Sequence, residues 1–224
     1  METRNGHIAP ALSCVEIIEA VYNIKTNDDK FILSKGHGCL ALYVKLQELG
    51  YNPDIYKGHP DIDIENGIEC TTGSLGHGLP VAVGMAYAKK LKKEDGRIFV
   101  LISDGELQEG TTWESLNLTK KFNLDNLIII IDNNRLQALE ETKNVIDIDY
   151  KILYNFGMVL ISDGHDINLI ESAINHPYKG VKIINAITTK GKGVLYMENK
   201  PEWHAKMPTE EEYKIACEEL SGSG

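Results

Sequence analysis

Apolar residues recur along this chain in two rhythms. At the three-to-four-residue spacing of a helix's buried face they cover residues 11–24, 37–49, 76–93, 111–122, 168–174 and 210–220. In short unbroken runs they cover 98–102, 127–131, 158–161 and 182–187, the pattern of strands buried on both faces. Runs of this kind separated by helices predict an α/β fold, a parallel sheet with helices on both faces joined by right-handed crossovers.

Residues 25–75 break the rhythm with SKGHG, YKGHPD and CTTGSLGHG. Irregular, glycine- and histidine-rich stretches inside a compact domain are more often functional loops than linkers. No internal repeat or low-complexity tract is present, and Ser221-Gly222-Ser223-Gly224 has linker composition. One domain is therefore expected over 1–220, with 221–224 as a linker or tail. The 224 residues, 42% hydrophobic, suit a single substantial core.

Charge narrows the function classes. A formal net charge of −10 and a pI near 5.2 argue against a nucleic-acid surface and fit a protein that handles small molecules. Cys14, Cys39, Cys70 and Cys217 are widely spaced with no pair at metal-ligand spacing, so reduced, mostly buried thiols without chemistry are expected. The first residues lack a basic segment followed by an apolar one, and no apolar stretch approaches the ~20 residues that span a bilayer. A cytoplasmic protein without membrane contact is expected.

The stretch ISDGELQEG, residues 102–110, ends a buried strand and precedes a helix, which places Asp104 at the strand's carboxyl end. Ligands of open parallel sheets bind at that edge, where loops splay and helix N-termini present unpaired N–H groups. A plain turn, with Asp104 capping a helix and Gly105 taking positive φ, accounts for the same residues. The next strand ends in IIIIDNNRLQ, and Asn134 follows Asp104 by thirty residues, about one strand-helix-strand unit. Adjacent strands would bring both side chains to one edge. A carboxylate, an amide oxygen and a nearby backbone carbonyl are hard oxygen ligands suited to Mg²⁺ or Ca²⁺.

SDGELQEG, the thirty-residue interval and DNN resemble the signature of thiamine-diphosphate enzymes. NGHIAPALS, DKFILSKGHGCLALY, KGHPD, TTGSLGHGL, LQEGTTWE, FNLDNLIIIIDNN and PEWH narrow the resemblance to the diphosphate-binding (PP-type) N-terminal part of the transketolase family. It runs in order from about Asn5 to His204. It implies thiamine diphosphate as cofactor and Mg²⁺, with Ca²⁺ or Mn²⁺ as substitutes, held by Asp104, Asn134 and the carbonyl of Leu136. Gly105 and Glu106 would bring backbone near the phosphates, although the chain has Ser103 where transketolases begin this loop with glycine. Gly73, Ser74 and Leu75 resemble the loop that meets the aminopyrimidine. The matches imply catalytic work for His7, His37, His59 and His204 along the substrate channel, with His37 and His204 also touching the cofactor. Glu109 is implied to hydrogen-bond across a dimer to the cofactor-activating network. His77 lies where many relatives have glutamine and is a weaker candidate.

In this family the glutamate that activates the cofactor lies in a second, pyrimidine-binding domain. Only about twenty residues follow His204, so that domain is expected on a partner chain, and the helix that usually precedes the first motif is expected to be short or lost. The resemblance implies the N-terminal subunit of a split transketolase. It would move a two-carbon ketol unit from a ketose to an aldose acceptor, free or phosphorylated, through a thiamine diphosphate carbanion. The expected assembly is a heterotetramer with self-association and a C-terminal subunit. A component of a 2-oxo acid decarboxylase or dehydrogenase is the alternative, against which the channel histidines and KGHPD count; a silent structural or regulatory subunit is another.

Overall fold

The structure, a computed structural model, describes residues 6–222; residues 1–5 of the expected domain, with Asn5 of its first motif, and 223–224 of the expected tail lie outside it. Five strands form one sheet in the order β1-β2-β3-β5-β4: β1 Lys30–Leu33, β2 Ile98–Ser103, β3 Leu127–Asn133, β4 Met158–Asp163 and β5 Lys182–Ile187. Every pairing is parallel. The helices are α1 Ile8–Leu12, α2 Val15–Ile24, α3 Cys39–Glu48, α4 Gly78–Lys92, α5 Gly110–Lys121, α6 Thr142–Val145, α7 Ile167–Asn175 and α8 Glu210–Leu220.

The central strands are apolar on both faces because both faces are covered. Phe99, Leu101, Ile128, Ile130 and Ile184 point into a core shared with α2, α3 and α7. Ile98, Val100, Ile102, Ile129, Ile131 and Ile183 point into a second core with α4 and α5. Burial of this kind is worth about 25 cal/mol per Å² of apolar surface. A smaller cluster of Ala9, Val194, Met197, Trp203 and Ala216 secures α1 and α8.

Several expectations change in detail. The helix expected over 11–24 is two helices. The Ser13 hydroxyl bonds back to the Pro10 carbonyl at 2.9 Å and reaches the Asp132 carboxylate at 2.5 Å, a side-chain competition that interrupts helices. The helix expected from 37 begins as a 3₁₀ turn at Gly36–Gly38, where a Cβ on Gly36 would stand 2.8 Å from the Gly73 nitrogen. The helix expected from 76 starts at Gly78, after Gly76 has taken φ +79°. Strand β1 lies inside the stretch read as irregular, as four residues only. Strand β4 is an edge, so it is not buried on both faces, and Ile161 is 69% exposed. The thiols are all free. Cys14 and Cys39 are buried, and burial pushes them up to about 12 and about 11, whereas Cys70 is half-buried and Cys217 exposed.

A polar knot lies where these elements converge. Asp132 in β3 and Lys35, just beyond β1, are both fully buried and form an ion pair. Lys35 Nζ also donates to the Pro10 carbonyl at 3.0 Å and to Ser13 Oγ at 3.1 Å. The other oxygen of Asp132 accepts from Thr188 Oγ1, just after β5. Burial by itself depresses Lys35, but the Asp132 charge overrides it and holds the ammonium above its ordinary range.

Breaking such a pair from one side strands a buried charge, which costs about 3–5 kcal/mol. Lys35→Met is therefore expected to lower unfolding free energy by that order in urea titrations. Adding Asp132→Asn should recover part of the loss, because no uncompensated charge then remains.

Candidate active site

Parallel register brings the carboxyl ends of β2 and β3 level, with Ser103 opposite Asp132. The chain leaves β2 in a 3₁₀ turn, Asp104–Gln108, that leads into α5. Glu106, fully buried, locks this turn: one carboxylate oxygen accepts the Ser103 N–H at 2.8 Å, and the other accepts the Gly76 N–H at 2.9 Å and the Ser34 hydroxyl. Burial pushes the Glu106 carboxyl up and these donors oppose it. The side chain thus ties the loop to the end of β1 and to residues 73–78, its oxygens committed to protein donors.

Asp104 is 2% exposed. Its oxygens accept the Gly105 N–H at 2.8 Å and the Arg135 N–H at 2.5 Å. Arg135 reaches that position by adopting φ +64°, a costly conformation for a side-chain-bearing residue. Asn134, also buried, accepts the Leu136 N–H at 3.0 Å on its amide oxygen. Burial, and next the charge of Asp132, lift the Asp104 carboxyl to about 7. A bound cation would relieve that cost.

Asp104, Asn134 and Leu136 line two neighbouring cavities of about 630 and 380 Å³, both of which Gln108 and Ile146 also line. The smaller holds His37, Leu75, Gly105, Lys190 and His204; the larger reaches Asn133, Tyr150 and Asn185. One carboxylate, one amide oxygen and one carbonyl at a shared boundary fit a hard divalent cation completed by water and phosphate oxygens. Among the described residues no group of three or more His, Cys, Asp or Glu side chains is arranged for a metal, as expected of a set with a single carboxylate.

The four histidines gather although 197 residues separate the first from the last. Ring centroids lie 5.2 Å apart for His7 and His59, 5.1 Å for His7 and His204, and 5.1 Å for His37 and His204. Burial, then Lys190, hold His204 down at about 3; burial, then Lys35, hold His37 well below its ordinary value; and burial, then His59, lower His7. These three imidazoles are neutral at neutral pH, each with one donor and one acceptor nitrogen. Lys190 is 1% exposed, and burial followed by Lys35 lowers it to about 8. Its Nζ donates to the Gln137 carbonyl and to His204 Nδ1, both at 2.8 Å, which leaves the proton of His204 on Nε2.

The remaining candidates are more exposed. Gly73, at φ +138°, lies against the His59 ring, where an added Cβ would stand 3.0 Å from Cδ2. Ser74 Oγ bonds His77 Nδ1 at 3.2 Å, which keeps His77 beside the loop but outside both cavities. Glu109 is exposed at the start of α5 and borders the smaller cavity. Lys35, Asp132, Gln108 and Lys190 escaped the sequence reading. For Lys190 a signal existed: TTKGKG directly follows β5 and so leaves the sheet at the ligand-binding edge.

Comparison with known proteins places this geometry in a family. The model of the transketolase thiamine diphosphate binding domain matches residues 3–221. An apulose-4-phosphate transketolase subunit from Actinobacillus succinogenes is 39% identical, covering 96% of this chain and 87% of that protein. The 6-deoxy-6-sulfo-D-fructose transketolase subunit SqwG of a Clostridium species is 33% identical, covering 98% and 90%. The crystal structure of transketolase from Campylobacter jejuni superposes with a TM-score of 0.85 at 28% identity, over 98% of this chain and 39% of that one. The chain therefore spans nearly the full length of the subunits it is similar to and about two-fifths of the Campylobacter chain.

A carboxyl raised to about 7 binds its proton below that pH, so cations must compete with protons there. Carbon-detected NMR titration of the metal-free protein is expected to give Asp104 a midpoint near pH 7, moving to lower pH as Mg²⁺ is added. A midpoint near 4, insensitive to Mg²⁺, would contradict this environment.

Proposed function

The chain belongs to the transketolase family, and from that premise we propose that it is the diphosphate-binding N-terminal subunit of a split transketolase, transferring a two-carbon ketol unit from a ketose to an aldose. The carrying observation is the meeting of Asp104, Asn134 and Leu136 at the ends of β2 and β3, beside a cluster of four histidines. Relatives called subunits, matched over nearly their whole length, support the division of the enzyme between two chains.

In this reading residues 1–220 form one cofactor-binding domain. Asp104, Asn134 and the Leu136 carbonyl hold Mg²⁺. Backbone at Gly105 and Glu106, with the Lys190 ammonium, faces the diphosphate, and Gly73, Ser74 and Leu75 face the aminopyrimidine. Thiamine diphosphate, when bound, supplies the nucleophilic carbon on which the two-carbon unit is carried. The chain's own task is binding, orientation and proton handling. Neutral His7 and His37, with His59 at the open end, can each accept a proton from one sugar hydroxyl oxygen and donate to another, whereas His204, its Nδ1 taken by Lys190, presents its Nε2 proton as a donor. The relatives' names point to small ketoses ending in phosphate or sulfonate as donors.

The partner is a chain with the pyrimidine-binding domain, which supplies the cofactor-activating glutamate and meets Glu109. Val81, Gly84, Ala88 and Leu91 form an exposed apolar stripe on α4, and Leu118 is exposed on α5, which packs against α4, a surface suited to self-association. Two copies of each chain make the proposed heterotetramer. No helix among the described residues is long and apolar enough to cross a membrane; a cytoplasmic location is part of the same proposal.

Purified alone, the chain is expected to show no ketol transfer and to gain it on mixing with the pyrimidine-domain partner. Turnover by the single chain would refute the split arrangement. In the mixed enzyme, His59→Ala and His204→Ala should each lower kcat by about 10²–10⁴ with a smaller effect on cofactor affinity. Parental kcat in both variants would remove the proton-handling role.

A further inference from the structure

A strap, residues 137–148, contributes lining to both cavities, and no residue in it is buried. Leu139 is 91% exposed, Ile146 53% and Val145 51%, so apolar contact anchors the segment only at its far end, where the half-buried Ile148 packs against the second core. Hydrogen bonds hold the rest. The Thr142 N–H donates to the Arg135 carbonyl at 2.9 Å and the Gln137 N–H to the Glu140 carbonyl at 2.8 Å, closing the strap on its own root at the Leu136–Glu141 bridge. Among the described residues, two side chains from other parts of the chain bind the strap. One is Lys190, at the Gln137 carbonyl. The other is Gln108.

Gln108 closes the acidic turn that starts at Asp104. Its Nε2 donates to the Thr142 carbonyl and to the Ile146 carbonyl, both at 2.9 Å, and its Oε1 accepts from Gln137 Nε2. Both N–H bonds are committed, so one side chain grips the strap at its beginning, middle and end. The Leu136 carbonyl sits at the strap's root, one residue before Gln137. The strap's orientation therefore sets where that carbonyl points relative to Asp104, thirty-two residues earlier in the chain.

We propose that Gln108 is a positioning residue: by latching residues 137–148 to the Asp104 turn it holds the Leu136 carbonyl in place beside Asp104 and Asn134, and so sets the affinity of this site for its divalent cation. This rests on the assignment of Asp104, Asn134 and Leu136 as the cation-binding set. Gln108 itself acts on neither the substrate nor the reacting atoms. Its loss should weaken cation and diphosphate binding while leaving turnover of the fully loaded enzyme near its parental value.

The test uses the full chain with Gln108→Ala, Gln108→Glu and Gln137→Ala, each checked for parental circular dichroism. Gln108→Glu keeps the size and the acceptor for Gln137 but loses both N–H donations; Gln137→Ala removes one of the three links and leaves Gln108 in place. Hydrogen–deuterium exchange over 139–148, in protein without cofactor or partner, is expected to accelerate about tenfold or more in both Gln108 variants and less in Gln137→Ala, since the former lose both N–H donations to the strap and the latter loses one link. Calorimetry with inorganic diphosphate should require about tenfold more Mg²⁺ for half-saturation, and with the partner present kcat at saturating cofactor and Mg²⁺ should stay within about threefold of the parent. Parental exchange rates in all three variants would overturn the latch. Faster exchange with an unchanged Mg²⁺ requirement would overturn the positioning role while leaving the family reading intact. Mg²⁺-independent diphosphate binding by the parent would instead overturn the cation assignment itself.

Discussion

The buried ion pair between Lys35 and Asp132 is the constraint on which the site depends. Two charges at zero exposure lose their hydration, and in a protein interior that loss is offset only by close pairing and a full set of hydrogen bonds. Those bonds come from Ser13, Thr188 and the Pro10 carbonyl. The requirement to satisfy one carboxylate and one ammonium thus draws the α1–α2 junction, the end of β1, the end of β3 and the exit of β5 to one place. A hydrophobic pair of similar volume would hold these segments as tightly. It would not set the electrostatics next door, where Asp132 raises the Asp104 carboxyl and Lys35 contributes to the depression of His37 and His204.

Rigidity and adaptability are distributed accordingly. The middle of the sheet is packed on both faces by isoleucine, leucine, valine and phenylalanine, which fixes the register of β2 against β3. That register makes Asp104 and Asn134 neighbours. Beyond the strand ends, polar side chains take over as fasteners: Glu106 for the turn after β2, Lys190 for the exit of β5, Gln108 for the strap. Glu106 and Gln108 commit their polar atoms to protein, whereas Lys190 also lines the smaller cavity.

Much of this was legible in the sequence where one physical signal dominates. Strands β2, β3 and β5 are continuous apolar runs, and the thirty-residue interval could place Asp104 and Asn134 at one edge because a strand-helix-strand unit has a characteristic length. Strand β1 was not legible: four residues between a turn and a glycine-rich loop carry no period, and only pairing with β2 makes them a strand. The break between α1 and α2 depends on Ser13 finding a carboxylate 119 residues away, which no local pattern contains. Lys35 and Lys190 look like surface lysines in sequence, since burial of a lysine is decided by partners far along the chain. The latch made by Gln108 is invisible for the same reason, its bonds going to backbone carbonyls at 142 and 146.

In the proposed function, one sheet edge of this chain is half of a cation and cofactor site completed by a second chain. A crystal structure of the chain with its pyrimidine-domain partner, thiamine diphosphate and Mg²⁺ tests it most directly. Mg²⁺ is expected at about 2.1 Å from an Asp104 carboxylate oxygen, the Asn134 amide oxygen and the Leu136 carbonyl, with the partner closing the cavity that holds His37 and His204. A cation bound by other residues, or a cofactor enclosed by the partner alone, would contradict it.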